Sequence, residues 1–282
     1  TMKLEPSTYS ISGRPMRATL STDNLVHNVG VIQRMAPQSK VIAMVKSNGY
    51  GHGLRSVAKR LEGEVSWLGV ASVNEALALR DAGVTAAILL MEGVFSLPEY
   101  RCAEDQGFGV VVHSKQQLDW LESSGVRSLF VWLKVDTGMG RLGFAPADLW
   151  EAYQRVTSLV ATKNDIGIMS HFACASEQAH PLNVTQQDSF RALVQQVGIQ
   201  ASLCNSAGVF HFQDAHYDYV RPGLALYGVS PCDDKQASAY ALRPVMTLCS
   251  GIIALKDFLP GDSIGYGADF VCQRPSRIAV VA

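Results

Sequence analysis

Long apolar runs are missing from this sequence. No stretch reaches the roughly 18 apolar residues that a membrane-spanning helix needs, so nothing in it argues for insertion into a bilayer. An excess of one charge is missing too: 24 basic and 25 acidic residues are mixed along the chain, for a net charge of −1. That balance gives no electrostatic footprint for nucleic acid or for an anionic membrane. Cysteine is sparse and unpatterned, at positions 102, 174, 204, 232, 249 and 272, with no CxxC pair and no zinc-type spacing. Reduced thiols are expected, with neither a disulfide framework nor a bound metal. Residues 1–20 carry Pro6, Ser7, Thr8 and Gly13 where a secretory leader would need an apolar block. The expectation is a cytoplasmic protein whose partner is a small molecule.

What is present is a large apolar fraction, 48% of 282 residues, enough for a substantial core. Short β-branched runs recur at 41–46, 67–72, 86–91, 108–113, 129–136, 166–171, 201–205 and 219–221. Stretches with helical spacing lie between them, among them 73–82, 115–123, 147–159 and 183–197, and Gly83, Gly125 and Gly198 read as helix stops. Eight strands alternating with helices predict an α/β fold, a closed TIM-like (β/α)8 barrel. After Gly228 the pattern changes: Pro231, Asp233 and Asp234 form a polar link, and 243–255, 263–271 and 277–282 read as strands without helices. The run 16–21 reads as a further strand of the same β domain. The expected layout is an N-terminal segment 1–16 packed with the β domain, a barrel over 17–240, and a mostly-β C-terminal domain from 241. An apolar edge at 278–282 would be left without a partner strand, so that last domain is expected to be incomplete within these residues.

A parallel barrel gathers its reactive groups at the C-terminal ends of its strands. Lys46, Arg141, His171, Ser206 and Arg221 all fall there and are expected to share one pocket. Lysine directly after the apolar run VIAMV is costly to desolvate unless it is used covalently or paired, and lysine is the residue that forms Schiff bases. The glycines at 49, 51 and 53 permit a tight turn, and the Tyr50 hydroxyl could meet a phosphate. Read alone, Lys46 fits a snorkelling surface lysine equally well. The stretch Lys134 to Gly143 places two cations and a carboxylate around glycines, which suits an anion site or a surface loop with an Arg–Asp pair. His171 alone reads as a core histidine or a functional one. Arg221-Pro222-Gly223 reads as a ligand-facing turn or a surface arginine.

Together these segments resemble the alanine racemase family. Val45-Lys46-Ser47-Asn48-Gly49-Tyr50-Gly51-His52-Gly53 is similar to the family's cofactor-lysine signature. Lys134 to Gly143, Ser170-His171-Phe172, Asn205-Ser206-Ala207, Tyr219 to Gly228 and Gly265-Tyr266-Gly267 follow in the family's order. The resemblance implies pyridoxal 5'-phosphate on Lys46, with Lys46 and Tyr266 serving opposite faces of the substrate α-carbon. It implies that Tyr266 comes from the neighbouring subunit of a head-to-tail homodimer. Arg221 would face the pyridine nitrogen, leaving the ring a weaker electron sink and favouring racemisation over transamination. His171 would pack on the ring and hydrogen-bond Arg221, Asn205 would line the cofactor site, and Tyr50, Ser206, Gly223 and Leu224 would hold the phosphate. Arg141 would orient the substrate carboxylate, and Lys134 matches a position that can carry a carbamate. The implied activity is interconversion of L- and D-alanine, supplying D-alanine for peptidoglycan. Ser47 and Gly49 depart from the family's usual alanines. The family's later segments, a Gly-Tyr-Ala-Asp stretch, a methionine and a late tyrosine, have no counterpart in these 282 residues. The alternatives are a broad-spectrum amino-acid racemase, a related barrel decarboxylase, against which Arg221 argues, and an inactive cofactor-binding fragment.

Overall fold

Strand positions at the barrel centre are filled by pairing a large side chain with a glycine on the next strand. Trp132 lies over Gly167, where a Cβ would come within 2.6 Å of the indole, and Trp67 lies over Gly109, where it would come within 2.9 Å. With Ile42, Met44, Leu89, Val111, Met169 and Tyr219 these rings plug the interior. The interior is therefore a packed core, and any ligand must bind above it.

The computed structural model describes residues 13–282. The chain opens on β1 (Met16–Leu20) and α1 (Thr22–Met35). The barrel strands are β2 (Lys40–Met44), β3 (Trp67–Val70), β4 (Ile88–Leu90), β5 (Phe108–Val112), β6 (Val131–Lys134), β7 (Ile166–Met169), β8 (Gln200–Ser202) and β9 (Tyr219–Val220). They pair in parallel in that order, and β9 closes on β2 through Lys40 with Tyr219 and Val41 with Val220. The outer helices are α2 (Leu54–Leu61), α3 (Val73–Asp81), α4 (Pro98–Asp105), α5 (Lys115–Ser124), α6 (Leu149–Thr157), α7 (Pro181–Val197) and α8 (Ser206–His211). Outward strand residues such as Val41, Ala43, Leu68, Val110 and Ile168 pack against them.

Local chemistry sets the helix limits. Ser72 and Ser114 each accept the amide three residues on, from Glu75 and Gln117. Gly125 and Gly198 end α5 and α7 in the left-handed region. The eight expected strands are all present but shorter than their apolar runs, because residues such as Val45, Val135 and Leu203 continue inward as buried loop. Lys46 and His171 accordingly stand two residues past their strands rather than at the strand ends.

The described residues through Leu20 and Met246–Ala282 form a second compact unit, distinct from Ser21–Val245. Its limits lie beyond the expected ones at 16/17 and 240/241, because Met16–Leu20 pairs antiparallel with β10 (Met246–Ser250). The remaining strands are β11 (Ile252–Phe258), β12 (Ser263–Ile264), β13 (Phe270–Val271) and β14 (Ser276–Val281). The run 243–255 is thus two strands interrupted at Gly251, and 263–271 is two short strands around a turn. The run 278–282 is not an open edge on both sides, since β14 pairs with β11. Residues 1–12 of the expected N-terminal segment lie outside the described residues. Among the described residues no helix is long and apolar enough to cross a membrane.

Candidate active site

Lys46 projects from a turn of unusual hand. Ser47, Asn48, Gly49 and Tyr50 all have φ between 53 and 61°, a left-handed stretch in which only one residue is glycine. The turn sets Lys46 and Tyr50 on the same cavity wall. The Lys46 Nζ lies 3.7 Å from the carboxylate of Glu92, which follows β4. Tyr50 stacks on Tyr227 with ring centroids 5.0 Å apart, and the Tyr227 hydroxyl donates to the Met44 carbonyl at 3.0 Å. Burial pushes the Tyr50 phenol above its ordinary pKa, so it is a proton donor at neutral pH.

The opposite wall is built at the ends of β8 and β9. Ser206 Oγ accepts the Gly223 amide at 2.8 Å and the Ala225 amide at 3.2 Å, tying the two loops together. A Cβ at Gly223 would run into the Tyr50 hydroxyl, so glycine is what lets the tyrosine reach this wall. Leu224 is partly exposed at the rim. Asn205 lines the cavity, and its side-chain oxygen caps α8 by accepting the Gly208 amide at 3.0 Å.

The floor is cationic. Arg221 is 3% exposed and donates to the Ser202 hydroxyl at 2.5 Å, to the Leu203 carbonyl at 3.3 Å and to the Ser170 carbonyl. Burial lowers its pKa to about 10, still well above neutrality. Its Nη2 also lies 3.3 Å from His171 Nδ1. A guanidinium can only donate, so Nδ1 accepts and the imidazole proton belongs on Nε2. Burial, then the neighbouring Arg221, Lys134, Arg141 and Lys46 charges, hold the His171 pKa well below its usual value, which keeps the ring neutral. Lys134 is 7% exposed. Burial and the charges of Arg221, Arg141 and Lys46 pull its amine down to about 8, with Glu92 opposing.

Asp136 does not pair with Arg141. Its Oδ1 accepts the amides of Gly138, Met139 and Gly140 at 2.8–3.1 Å, which shapes the loop after β6 and leaves Arg141 to face the cavity. Burial would raise the Asp136 pKa, but these amides outweigh it and carry the carboxyl below its usual range.

The cavity holds about 510 Å³, the size of a small-molecule site. Lys46, Tyr50, Lys134, Arg141, His171, Asn205, Ser206, Arg221, Gly223 and Leu224, all named from sequence, line it. Met44, Met91, Glu92 and Ser176 line it as well and were not anticipated. Glu92 could have been found, since a carboxylate directly after the apolar run ILLM obeys the rule that singled out Lys46. Tyr266 belongs to the other unit, in the turn Tyr266–Ala268 between β12 and β13, and is fully exposed there. A second cluster of ligand-type side chains, His211, Cys232 and Asp234, lies within 4.8 Å. Both His211 nitrogens are already engaged, by the Ala175 carbonyl at 2.9 Å and the Tyr240 hydroxyl at 3.3 Å.

A plugged parallel barrel, with four cationic side chains, Lys46 among them, converging on its mouth, defines a class of (β/α)8 proteins built to hold an anionic ligand beside a lysine. Comparison with known proteins narrows this. Residues 20–231 match the family described as "Alanine racemase, N-terminal domain", and 245–282 match "Alanine racemase, C-terminal domain". The alanine racemase of Shewanella piezotolerans is 42% identical over 94% of this chain and 74% of its own length. That of Stutzerimonas stutzeri is 40% identical over 95% of this chain and 75% of its own. The crystal structure of biosynthetic alanine racemase from Pseudomonas aeruginosa superposes with a TM-score of 0.91 at 39% identity, covering 95% of this chain and 75% of that one. A Bartonella henselae alanine racemase with covalently bound pyridoxal phosphate gives a TM-score of 0.82 at 26% identity, covering 95% and 75%. The chain belongs to the alanine racemase family.

Proposed function

We propose that this protein binds pyridoxal 5'-phosphate at Lys46 and interconverts L- and D-alanine, supplying D-alanine for peptidoglycan. The observation that carries the reading is the gathering of Lys46, Lys134, Arg141 and Arg221 on one cavity whose lining includes a single carboxylate, that of Glu92. Such a site suits a ligand with both a phosphate and a carboxylate. The donor set fits the cofactor in detail. The Ser206 hydroxyl, the Gly223 backbone and the Tyr50 phenol meet at one end, and a buried arginine and a neutral histidine lie at the floor.

When bound, the cofactor acidifies the α-hydrogen of an amino acid joined to it. Lys46 would then take or return that proton on one face. Arg221 cannot readily surrender its own proton, so it would donate a hydrogen bond to the pyridine nitrogen without protonating it. Neutral His171 would pack on the ring and be oriented by Arg221, while Arg141 would bind the substrate carboxylate. Lys134, with its amine pulled toward neutrality, is suited to react with carbon dioxide, and the carbamate would pair with Arg141.

Racemisation needs a second proton carrier on the other face. We assign it to Tyr266, and its complete exposure suits delivery to a partner's barrel in a head-to-tail homodimer. The free state of all six cysteines suits a reducing, cytoplasmic location. The test is an absorbance band removed by borohydride, absent in Lys46→Ala, together with chiral analysis of the product from several L-amino acids. D-alanine as the main product supports the reading. D-products from many amino acids would replace it with a broad-spectrum racemase, carbon dioxide with a decarboxylase, and a band without product with an inactive binder.

A further inference from the structure

The turn that carries Lys46 is locally unfavourable. Ser47, Asn48 and Tyr50 all occupy the left-handed region, which disfavours serine and tyrosine by about an order of magnitude each and asparagine less. The Asn48 Oδ1 accepts the Leu54 amide at 3.0 Å and His52 Nδ1 lies 3.0 Å from the Tyr50 carbonyl, both within residues 48–54; the side chain that reaches the turn from another element is Glu75, from the first turn of α3. Its Oε1 accepts the Ser47 amide at 2.7 Å and the Asn48 amide at 3.4 Å, the first two amides after Lys46. Its Oε2 accepts the Ala71 amide at 2.8 Å, so the same carboxylate is anchored to the start of its own helix.

A second helix shows why the residue is glutamate. Gln117 occupies the equivalent place in α5, three residues after Ser114 as Glu75 is after Ser72. It accepts the His113 amide at 2.9 Å and donates to the carbonyls of Glu92 and Val94 at 3.1 and 3.0 Å. Gln117 meets one donor and two acceptors and needs an amide. Glu75 meets three donors and needs a carboxylate.

We propose that Glu75 is a positioning residue that clamps the left-handed turn and thereby fixes where Lys46 and Tyr50 enter the cavity. The proposal rests on the reading of Lys46 as the cofactor lysine. Ser47 and Asn48 are exposed, so water can replace the hydrogen bonds themselves. What the clamp supplies is the hand of the turn. Loss of Glu75 lets the turn relax, separates Lys46 from Tyr50 and weakens cofactor binding, while the plugged barrel stays folded.

The experiment compares the full chain with Glu75→Ala, Glu75→Gln, Ser47→Gly and the double variant Ser47→Gly with Glu75→Ala. Amide hydrogen exchange is followed without cofactor, and the dissociation constant for pyridoxal phosphate by absorbance. Glu75→Ala is expected to speed exchange at Ser47 and Asn48 with no change in the barrel strands, and to weaken cofactor binding about tenfold. Glu75→Gln is expected to fall between, because its NH2 would face a backbone N–H. Ser47→Gly alone should bind as the parent does, and in the double variant it should recover most of the lost affinity, since glycine adopts the turn without penalty. Faster exchange throughout the barrel with no glycine rescue would overturn the proposal, as would unchanged exchange at 47–50. Absence of any cofactor band in the parent would sink the functional reading instead, and the exchange data would still decide the clamp.

Discussion

The barrel unit and the β unit handle their functional residues in opposite ways. In the barrel, Arg221 is a buried charge held by the Ser202 hydroxyl and the Ser170 and Leu203 carbonyls, Lys134 is buried as well, and the residues picked out by sequence in this unit meet in one cavity. In the β unit, Leu248, Ile252, Phe270 and Tyr266 all stand open to solvent. The difference follows from architecture. A closed barrel buries both faces of every strand, whereas the β unit's two-stranded pairings, β1 with β10, β11 with β14 and β12 with β13, cannot cover a face alone. The barrel therefore gathers its lining residues within one unit, whereas Tyr266 of the β unit stands exposed.

Substitutions can break that comparison. The largest effect is expected from Lys46→Ala, which on the proposed mechanism removes both the attachment amine and one proton carrier. Racemisation should fall at least about 10³-fold, measured by chiral product analysis, with the borohydride-sensitive band gone. Next is Tyr266→Phe, expected to cost about 10²- to 10³-fold in turnover with an unchanged melting midpoint, because an exposed hydroxyl supports no core. A marked fall in the midpoint would mean the tyrosine is structural.

Stability should divide the two units in the same way. Arg221→Leu strips the donors from Ser202, Leu203 and Ser170 and is expected to cost about 3 kcal/mol in denaturant unfolding. Arg277→Ala, which breaks the fully exposed pair with Asp257 on β11, should leave no resolvable change.

A further contrast concerns pH. Folding lowers the Lys134 pKa from 10.5 to about 8, so between those values the unfolded chain binds more protons and stability gains with rising pH. Below pH 8 the folded protein carries the full penalty of a buried ammonium. Lys134→Met should flatten the stability profile over that window and raise stability relative to the parent on its acid side. Denaturation series across pH check both.

The sequence was most legible where a chemical requirement left a residue no freedom. The alternation of apolar runs with helical spacing carried the barrel, and a lysine after VIAMV and an arginine before Pro-Gly fell at strand ends, where a parallel barrel gathers its pocket. Strand ends were less so. An apolar loop residue such as Val135 looks the same in sequence as a strand residue, and only the ladder shows that β6 stops at Lys134. The break at Gly251 was signalled only by the short polar step Ser250-Gly251 inside an otherwise apolar run. The hand of the turn after Lys46 was legible only at Asn48 and Gly49, which tolerate positive φ, because serine and tyrosine do not announce it. Its clamp was readable in part: Ser72-Val73-Asn74-Glu75 is a helix-start signal, but the reach of Glu75 to a neighbouring loop is a property of the closed barrel. Of the family's implied roles, pairing of His171 with Arg221 corresponds to a contact seen here. The assignment of Tyr266 to a partner's pocket remains a proposal about the assembly.

On the proposed mechanism an amine and a phenol work on opposite faces of one substrate. The direct measurement is α-hydrogen exchange in deuterated water for each alanine enantiomer separately, catalysed by cofactor-loaded Tyr266→Phe. With the phenol gone and Lys46 intact, exchange should persist for one enantiomer and vanish for the other, with racemisation lost. Equal retention or equal loss of exchange for both enantiomers would contradict it.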